Sequence, residues 1–453
     1  MDCARTERTV IADPVGSCAT SASTGVIPRT VADRKGGTVS NTFDWFLGVD
    51  WGSETHQFCL VDARGDQILQ RSVTHSADAV REALDWALRE TGATTGAIAV
   101  GLEVPRGALV DTFLEHAFAV FTINPKQVDR FRDRFTVAGA KDDRRDALVL
   151  AMALRTDLVA FRRVTTEHPA IIQIRQWSRM AEELGEELRS LANRIREEAH
   201  RVAPALLGLS PGADEPWFWA LLAAAPTPTT QRRVGRQRLH TLLRRHRIRR
   251  LTVDQVHAAL QAPPFPLAPG VEEAAAAHLR FLLARVQLVH EQRAHCDREL
   301  VALFEQWAAE TAPSDQREHH DVAILQSCPG VGTHVTAVML AEGARPLATR
   351  DYRTLRAEAG AAPITQQSGK RRVVSFRWAC NKRLRNALYY WAQSSLRDAG
   401  CRVYYDALRA RGHSHARALR SLGDRLLRIL IALLNTGSLY DPSRYAPTAT
   451  TAA

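Results

Sequence analysis

Four carboxylates in the first third of the chain carry the clearest chemical signal: Asp50, Glu103, Asp143 and Asp146. Asp50 closes the apolar run Trp45-Phe-Leu-Gly-Val-Asp50, which reads as a buried strand, and Glu103 closes a second, Ala97-Ile-Ala-Val-Gly-Leu-Glu103. Asp143 and Asp146 stand three apart at the start of an apolar helical stretch, which puts both on one helix face. Acids brought together from two strand ends and one helix repel each other unless a cation offsets the charge. Hard oxygen donors of this kind suit Mg²⁺ or Mn²⁺, and a pair of such ions can catalyse phosphodiester cleavage. Any one of these residues alone reads as a cap or a surface acid; all four in this order point to a metal site.

A second candidate lies in the last third. The segment Ala362-Pro-Ile-Thr-Gln-Gln-Ser368-Gly-Lys370-Arg-Arg372 reads as a polar loop, and from Ala359 to Arg397 there are eight Lys or Arg and no Asp or Glu. A serine hydroxyl is a weak nucleophile without a base, a metal or positive surroundings. Lys370, Arg371, Arg372, Arg377, Lys382 and Arg383 could hold a phosphate and stabilise charge developing on it. No base adjoins Ser368 in sequence, so by itself the segment reads as a loop serine. Asn381-Lys-Arg-Leu-Arg385 opens a helix with cations where its dipole disfavours them, unless an anion binds there. Upstream, Pro329-Gly330-Val-Gly332 joins two apolar helices as a helix-hairpin-helix, whose free N–H groups can hold a phosphate. A plain helix cap and restart would need no ligand. Gln231 to Arg250 holds nine arginines and no acid. Such a run repels itself, and a phosphate backbone would relieve it through Arg232, Arg233, Arg236, Arg244 and Arg245.

The elements that must position these groups follow from length and patterning. A chain of 453 residues, 45% hydrophobic and 24% charged, is ordinary for globular protein and long enough for two or three domains. The net charge of +11 and pI near 9.7 favour a polyanionic partner, without separating nucleic acid from an anionic membrane surface. Seven scattered cysteines without ligand spacing argue against a zinc site or disulfide framework and suggest a reducing cytoplasm. No apolar run reaches about 18 residues, and no signal-peptide core opens the chain, so a cytoplasmic, nucleoid-associated protein with no membrane partner is expected.

Residues 1–43 read as a disordered tail or an upstream extension. Over 44–165, strands at 45–51, 57–62 and 67–73 are followed by a helix near 77–91. Strand 97–103, helix 107–117 and strand 118–123 come next, then helices opened by Asn124-Pro125 and at about 142. Three meandering strands followed by alternating helices and strands is the order of an α/β ribonuclease-H-like domain. Over 166–314 the pattern is helical. Trp177, Leu184 and Leu191 alternate with Ala181, Leu188, Ile195 and Val202. Leu279, Val286 and Leu300 alternate with Leu282, Val289, Cys296 and Leu303, with Arg293 at one seam position. These heptads predict a coiled coil, and an antiparallel pair within one chain and a coil between chains are equally open. Residues 315–440 read as a second, α-rich domain, and 441–453 as a frayed end.

With these residues assembled, the chain resembles the DEDD-type insertion-sequence transposases, which join an N-terminal RuvC-like domain to a C-terminal domain with a reactive serine. The matching motifs are Gly48-Val-Asp50, Glu103, Asn124-Pro125 and Lys141-x-Asp143-x-x-Asp146-Ala147. In the second half they are Pro329-Gly-Val-Gly332, Gly360-x-x-Pro363, Ser368-Gly369-Lys370 and Asn381-Lys-Arg-Leu-Arg385. The resemblance covers roughly residues 45–435. It implies a Mg²⁺-dependent recombinase in which Asp50, Glu103, Asp143 and Asp146 hold metal. Ser368 would attack a DNA phosphate to leave a phosphoserine and a free 3′ hydroxyl. It further implies a homodimer or homotetramer, in which domains of different protomers complete a site, and a structured bridge RNA that pairs with donor and target DNA. The arginine-rich 231–250 segment, the N-terminal tail and Trp378-Ala-Cys380 depart from the family pattern. A DNA invertase, a RuvC-like nuclease and an actin-like ATPase or kinase are the competing readings. The last lacks its second phosphate loop here.

Overall fold

The computed structural model describes residues 43–104, 106–134, 142–310, 319–369 and 371–445. The expected tail over 1–42, the end beyond 445 and Lys370 lie outside the described residues. Phe43, assigned to the tail from sequence, instead belongs to the core, buried edge-on against Phe121 with ring centroids 5.9 Å apart. The described residues form two compact units, one up to Glu167 and one from His168 onward.

The first unit runs β1 (Trp45–Asp50), β2 (Thr55–Asp62), β3 (Gln67–Thr74), α1 (Ala77–Thr91), β4 (Ile98–Leu102) and α2 (Ala108–Glu115). Then follow β5 (Ala119–Thr122), α3 (Pro125–Arg132), α4 (Asp143–Asp157) and β6 (Arg162–Arg163). The sheet order is β3-β2-β1-β4-β5-β6. The β1–β4 and β4–β5 pairs are parallel and the others antiparallel. This mixed α/β arrangement is compatible with a ribonuclease-H-like fold. β6 has two residues, too few for an alternating pattern to reveal it in the sequence.

β1 and β4 are buried on both faces, as central strands of an α/β sheet must be. Leu47 and Val49 face a core shared with Val80, Leu84 and Phe113 from α1 and α2. Phe46 faces the opposite core, built on Ala147, Leu150 and Leu154 of α4. Gly48 lies on the α4 side, and a Cβ there would fall 1.9 Å from the Ala147 carbonyl oxygen and 2.5 Å from the Ala151 nitrogen. Its neighbour across the parallel register, Gly101, makes room for Leu154 in the same way, with a Cβ 2.8 Å from Leu154 Cδ1. Two adjacent strands thus present a glycine trough, and α4 sinks into it.

The second unit begins with α5 (Pro169–Val202), α6 (Pro216–Ala224), α7 (Pro228–Gln231), α8 (Arg236–Arg245), α9 (Val253–Leu260) and α10 (Val271–Glu310). It continues with α11 (Asp321–Ser327), α12 (Thr333–Glu342), α13 (Ala344–Ala348), α14 (Tyr352–Glu358), β7 (Ile364–Ser368) and β8 (Arg371–Ser375). The last elements are α15 (Lys382–Ser394), α16 (Ala399–Ala410), α17 (His415–Thr436) and α18 (Pro442–Tyr445), the last falling where a frayed end was expected. The heptad helices α5 and α10 pack against each other within the chain. Glu198 meets His278 at 2.9 Å, Glu187 meets Arg285 at 3.3 Å, and Trp177 packs edge-on against His295. Partner numbers that fall on one helix as they rise on the other make the pair antiparallel. One end of the pair shares a core with α6, α8 and α9; the other shares a core with α11, α12, α15 and α17.

Gly48→Ala should destabilise the first unit by about 3 kcal/mol, because the new methyl meets helix backbone that cannot rotate away. Gly96→Ala, with nothing within 4 Å of its Cβ position, should be close to neutral. Chemical denaturation of the two variants followed by circular dichroism tests the contrast.

Candidate active site

β1 and β4 are parallel neighbours in the register Val49↔Leu102, so Asp50, which ends β1, and Glu103, which follows β4, come at the same end of the sheet. α4 supplies the other two acids. Asp142 is its N-cap and accepts from the Arg144 amide at 3.2 Å, which leaves Asp143 and Asp146 one turn apart within the helix. The helix runs from this end of β1 back toward the β2–β3 turn, where Arg155 donates to the Ala63 carbonyl at 3.4 Å. The contact of Ala147 with Gly48 therefore sets the height of Asp146 relative to the carboxyl end of β1. The backbone brings three acid-bearing elements to one sheet end.

The side chains are not gathered around one point. Asp143 is exposed, whereas Asp146 is 3% exposed and engaged by Arg132. The Arg132 Nε donates to Asp146 Oδ1 at 2.7 Å, and its Nη1 donates to Asp129 at 2.8 Å. The Asp146 hydrogen bond, ahead of the neighbouring charges, raises the Arg132 guanidinium above its ordinary value. Among the described residues no three Asp, Glu, His or Cys side chains form a group that could hold a metal ion. The donor types and backbone placement fit a hard divalent cation, but the counter-charge beside Asp146 is a guanidinium.

Sequence reasoning missed three residues here. Arg132 is one. The others are His56, fully buried at the start of β2, and His75. The Gly52 amide donates to His56 Nδ1 at 3.3 Å, and His56 Nε2 lies 2.9 Å from His75 Nδ1. Since Nδ1 accepts, the proton of the neutral ring belongs on Nε2, directed at His75. Burial first, and His75 second, push the His56 imidazole below its ordinary value, which keeps it neutral. With the His75 amide on the Glu54 carbonyl at 2.8 Å, these rings pin the loop that follows Asp50. A histidine two residues before the apolar run Phe58-Cys-Leu-Val61 was the available signal.

In the second unit, the segment read as a loop is a β-hairpin. Ser368 ends β7 opposite Arg371 in the antiparallel register, and Gly369 takes the left-handed turn with φ 53°. Cross-strand partners project from the same face, so the serine and this arginine are neighbours. Both strands are exposed almost throughout, with Arg372 beside the turn.

Several cations expected to wait for phosphate have protein partners. Arg383 pairs with Glu182 of α5, and Arg377 donates to the Ala362 carbonyl at 3.1 Å. Asn381 caps α15 and donates to Glu342 Oε2 at 2.8 Å. Burial would raise the Glu342 carboxyl, but the Asn381 and Arg179 hydrogen bonds hold it below the usual range. The cations at the start of α15 are thus offset by acids from α5 and α12, which lie far away in sequence. Lys382 remains exposed. Within the arginine-rich run, Arg236 pairs with Asp254 and Arg250 with Glu215, so the run has acidic neighbours after all. All nine of its arginines are nonetheless exposed, including Arg232, Arg233, Arg244 and Arg245, while Val234, Leu239 and Leu243 face inward. The Pro-Gly-Val-Gly turn is docked on the protein. A Cβ on Gly330, at φ 80°, would fall 2.4 Å from the Ser395 nitrogen, and Trp391 Nε1 donates to the Pro329 carbonyl at 3.0 Å. Gly332, which starts α12, faces open space.

Comparison with known proteins adds the remaining finding. A DEDD-type IS110 family model described as "Transposase" matches residues 47–204, and one described as "Transposase IS116/IS110/IS902 family" matches residues 322–406. The chain is 30% identical over 412 residues to a "Mini-circle putative transposase for IS117" of Streptomyces coelicolor, across 89% of this chain and 97% of that protein. It is 46% identical over 206 residues to "Putative transposase y4uE" of Sinorhizobium fredii, spanning 45% of this chain and 57% of that relative. An uncharacterized 43.6 kDa protein of insertion element IS110 from S. coelicolor is 27% identical over 405 residues.

Removing Arg132 strands a buried carboxylate. Arg132→Ala should cost about 2 kcal/mol or more of stability, and adding Asp146→Asn should restore most of it. Thermal or urea unfolding of the single and double variants measures the coupling; additive losses would mean that the pair does not hold α3 to α4.

Proposed function

The chain belongs to the IS116/IS110/IS902 family of transposases, and from that premise we propose that it cuts and rejoins DNA with an acidic metal site and a serine nucleophile. Asp50, Glu103, Asp143 and Asp146 would hold Mg²⁺ or Mn²⁺, which when bound supplies positive charge to a scissile phosphate and its leaving oxygen. The observation that carries this reading is the convergence of β1, β4 and α4 at one sheet end, since no core requirement places acids on all three.

Ser368 Oγ attacks a DNA phosphorus. The Oγ–P bond forms as the serine hydroxyl gives its proton to solvent water, the P–O3′ bond breaks, and the 3′ oxygen takes a proton from water to leave as a hydroxyl. The serine is presented at an exposed hairpin turn with Arg371 opposite and Arg372 beside it, where guanidinium charge opposes the charge growing on the phosphate. Reversal of the step by a different 3′ hydroxyl rejoins the strand. The exposed arginines of α8 and its flanking turns, with Lys382 and the open start of α12 at Gly332, supply the remaining phosphate contacts. Donor and target DNA are the substrates, a structured bridge RNA paired to both is the guide, and a homodimer or homotetramer is the working form.

Recombination of a plasmid substrate should fall at least about a hundredfold in Asp50→Asn and in Ser368→Ala, with DNA binding retained. A covalent protein–DNA adduct, detected by denaturing gel after nuclease trimming, should form with the wild type and be absent with Ser368→Ala. An adduct persisting in that variant would assign the nucleophile elsewhere, and full activity in Asp50→Asn would remove the metal site.

A further inference from the structure

An exposed tryptophan stands beside the serine hairpin without a role in the core. Trp378 is 77% exposed, in a segment that the protein otherwise holds firmly. Arg377 before it donates to the Ala362 carbonyl at 3.1 Å. After it, Cys380 packs where a Cβ on Gly360 would come within 3.0 Å of its sulfur, and the Asn381 amide donates to the Glu358 carbonyl at 2.9 Å. Phe376 meets Trp378 edge-on, with centroids 5.1 Å apart and planes at 82°. Two guanidiniums lie over Phe376, Arg385 of α15 at 5.2 Å and Arg420 of α17 at 5.0 Å. Phe376 is therefore committed to the protein, whereas most of the indole is open to solvent.

A surface indole on a pinned backbone, among cations and with no acid between Ala359 and Arg397, matches the requirements of a base-stacking platform. The cations attract the phosphates, and the ring offers a flat apolar face to a base. Bases within a duplex already stack on their neighbours, so a platform of this kind takes an unpaired one. Trp378 lies seven residues beyond Arg371, the serine's cross-strand partner, hence within roughly 23 Å of it even in fully extended chain. That is a span of several nucleotides along one strand.

Resting on the reading of this chain as a DNA-cutting transposase, we infer that Trp378 stacks on an unpaired DNA base a few nucleotides from the phosphate attacked by Ser368. The platform positions the strand by melting or by capturing a melted region next to the cleavage point. It acts by stacking and so tolerates any base, unlike a hydrogen-bonding reader.

The test uses the full-length protein and one sequence in three forms: single-stranded DNA with 2-aminopurine at successive positions, the matched DNA duplex, and single-stranded RNA. The wild type should quench 2-aminopurine at least about twofold at one or two adjacent positions of the single-stranded DNA, with Trp378→Phe retaining most of the effect. Trp378→Ala should abolish the quench and weaken single-strand binding roughly tenfold, while duplex binding changes less than about twofold. Its thermal unfolding should match the wild type, as befits an exposed side chain. Quenching that survives in Trp378→Ala, equal losses on single strand and duplex, or a larger loss on RNA than on DNA would each overturn the inference. Normal DNA binding with no dependence on Trp378 sinks this inference alone; failure of the wild type to bind either DNA sinks the transposase reading with it.

Discussion

Most of the first unit depends on how closely α4 approaches β1. With the Ala147 carbonyl 1.9 Å from where a Gly48 Cβ would sit, no side chain of any size fits between helix and strand at that point. The contact is backbone on backbone, so it tolerates little sliding or rotation. A side-chain-mediated contact could shift by fractions of an ångström as rotamers change; this one cannot without opening the core. Gly101 on the neighbouring strand extends the same trough, and Leu154 fills it. The acids at the start of α4 inherit this placement. Asp146 stands one residue before the contacting carbonyl, and Asp50 two residues beyond the contacting glycine.

Electrostatics then decides what those acids do within the protein. A carboxylate as buried as Asp146 requires a counter-charge, and Arg132 provides it from α3. The same interaction ties α3 to the first turn of α4, so an acid suited to a metal also serves as a fastening. His56 has a comparable double position. It is held neutral in the core, and it fixes the loop after Asp50 through the Gly52 amide.

The second unit shows how a basic chain keeps itself folded. Arg179 with Glu342, Arg356 with Asp424 and Arg383 with Glu182 join helices distant in sequence, and Arg350 ties the turn after α13 to Asp321 of α11. Among the described residues, exposed positive charge also gathers on α8 with its flanking turns and on the β7–β8 hairpin. Local charge counting cannot make that division, because the acid that pairs with Arg383 lies about two hundred residues earlier.

The order of strands and helices over 45–157 was legible because local signals agree there. Buried central strands read as apolar runs, and α1, α3 and α4 start at the side-chain caps Ser76, Asn124 and Asp142. The heptads of α5 and α10 were equally plain, since a 3/4 spacing records one buried face of a helix. That face says nothing about which helix covers it, and the partner proved to lie in the same chain. The β7–β8 hairpin escaped detection because strands exposed on both faces need no apolar alternation. Arg132, His56 and the partners of Arg236, Arg250 and Arg383 escaped because ion pairs and buried hydrogen bonds join positions that only folding brings together. Residue types and their spacing along the chain thus determined the elements and the candidate acids. Which of those acids are buried, which cations are already engaged and how far Trp378 is left open were decided by tertiary structure, where burial and charge compensation act through space.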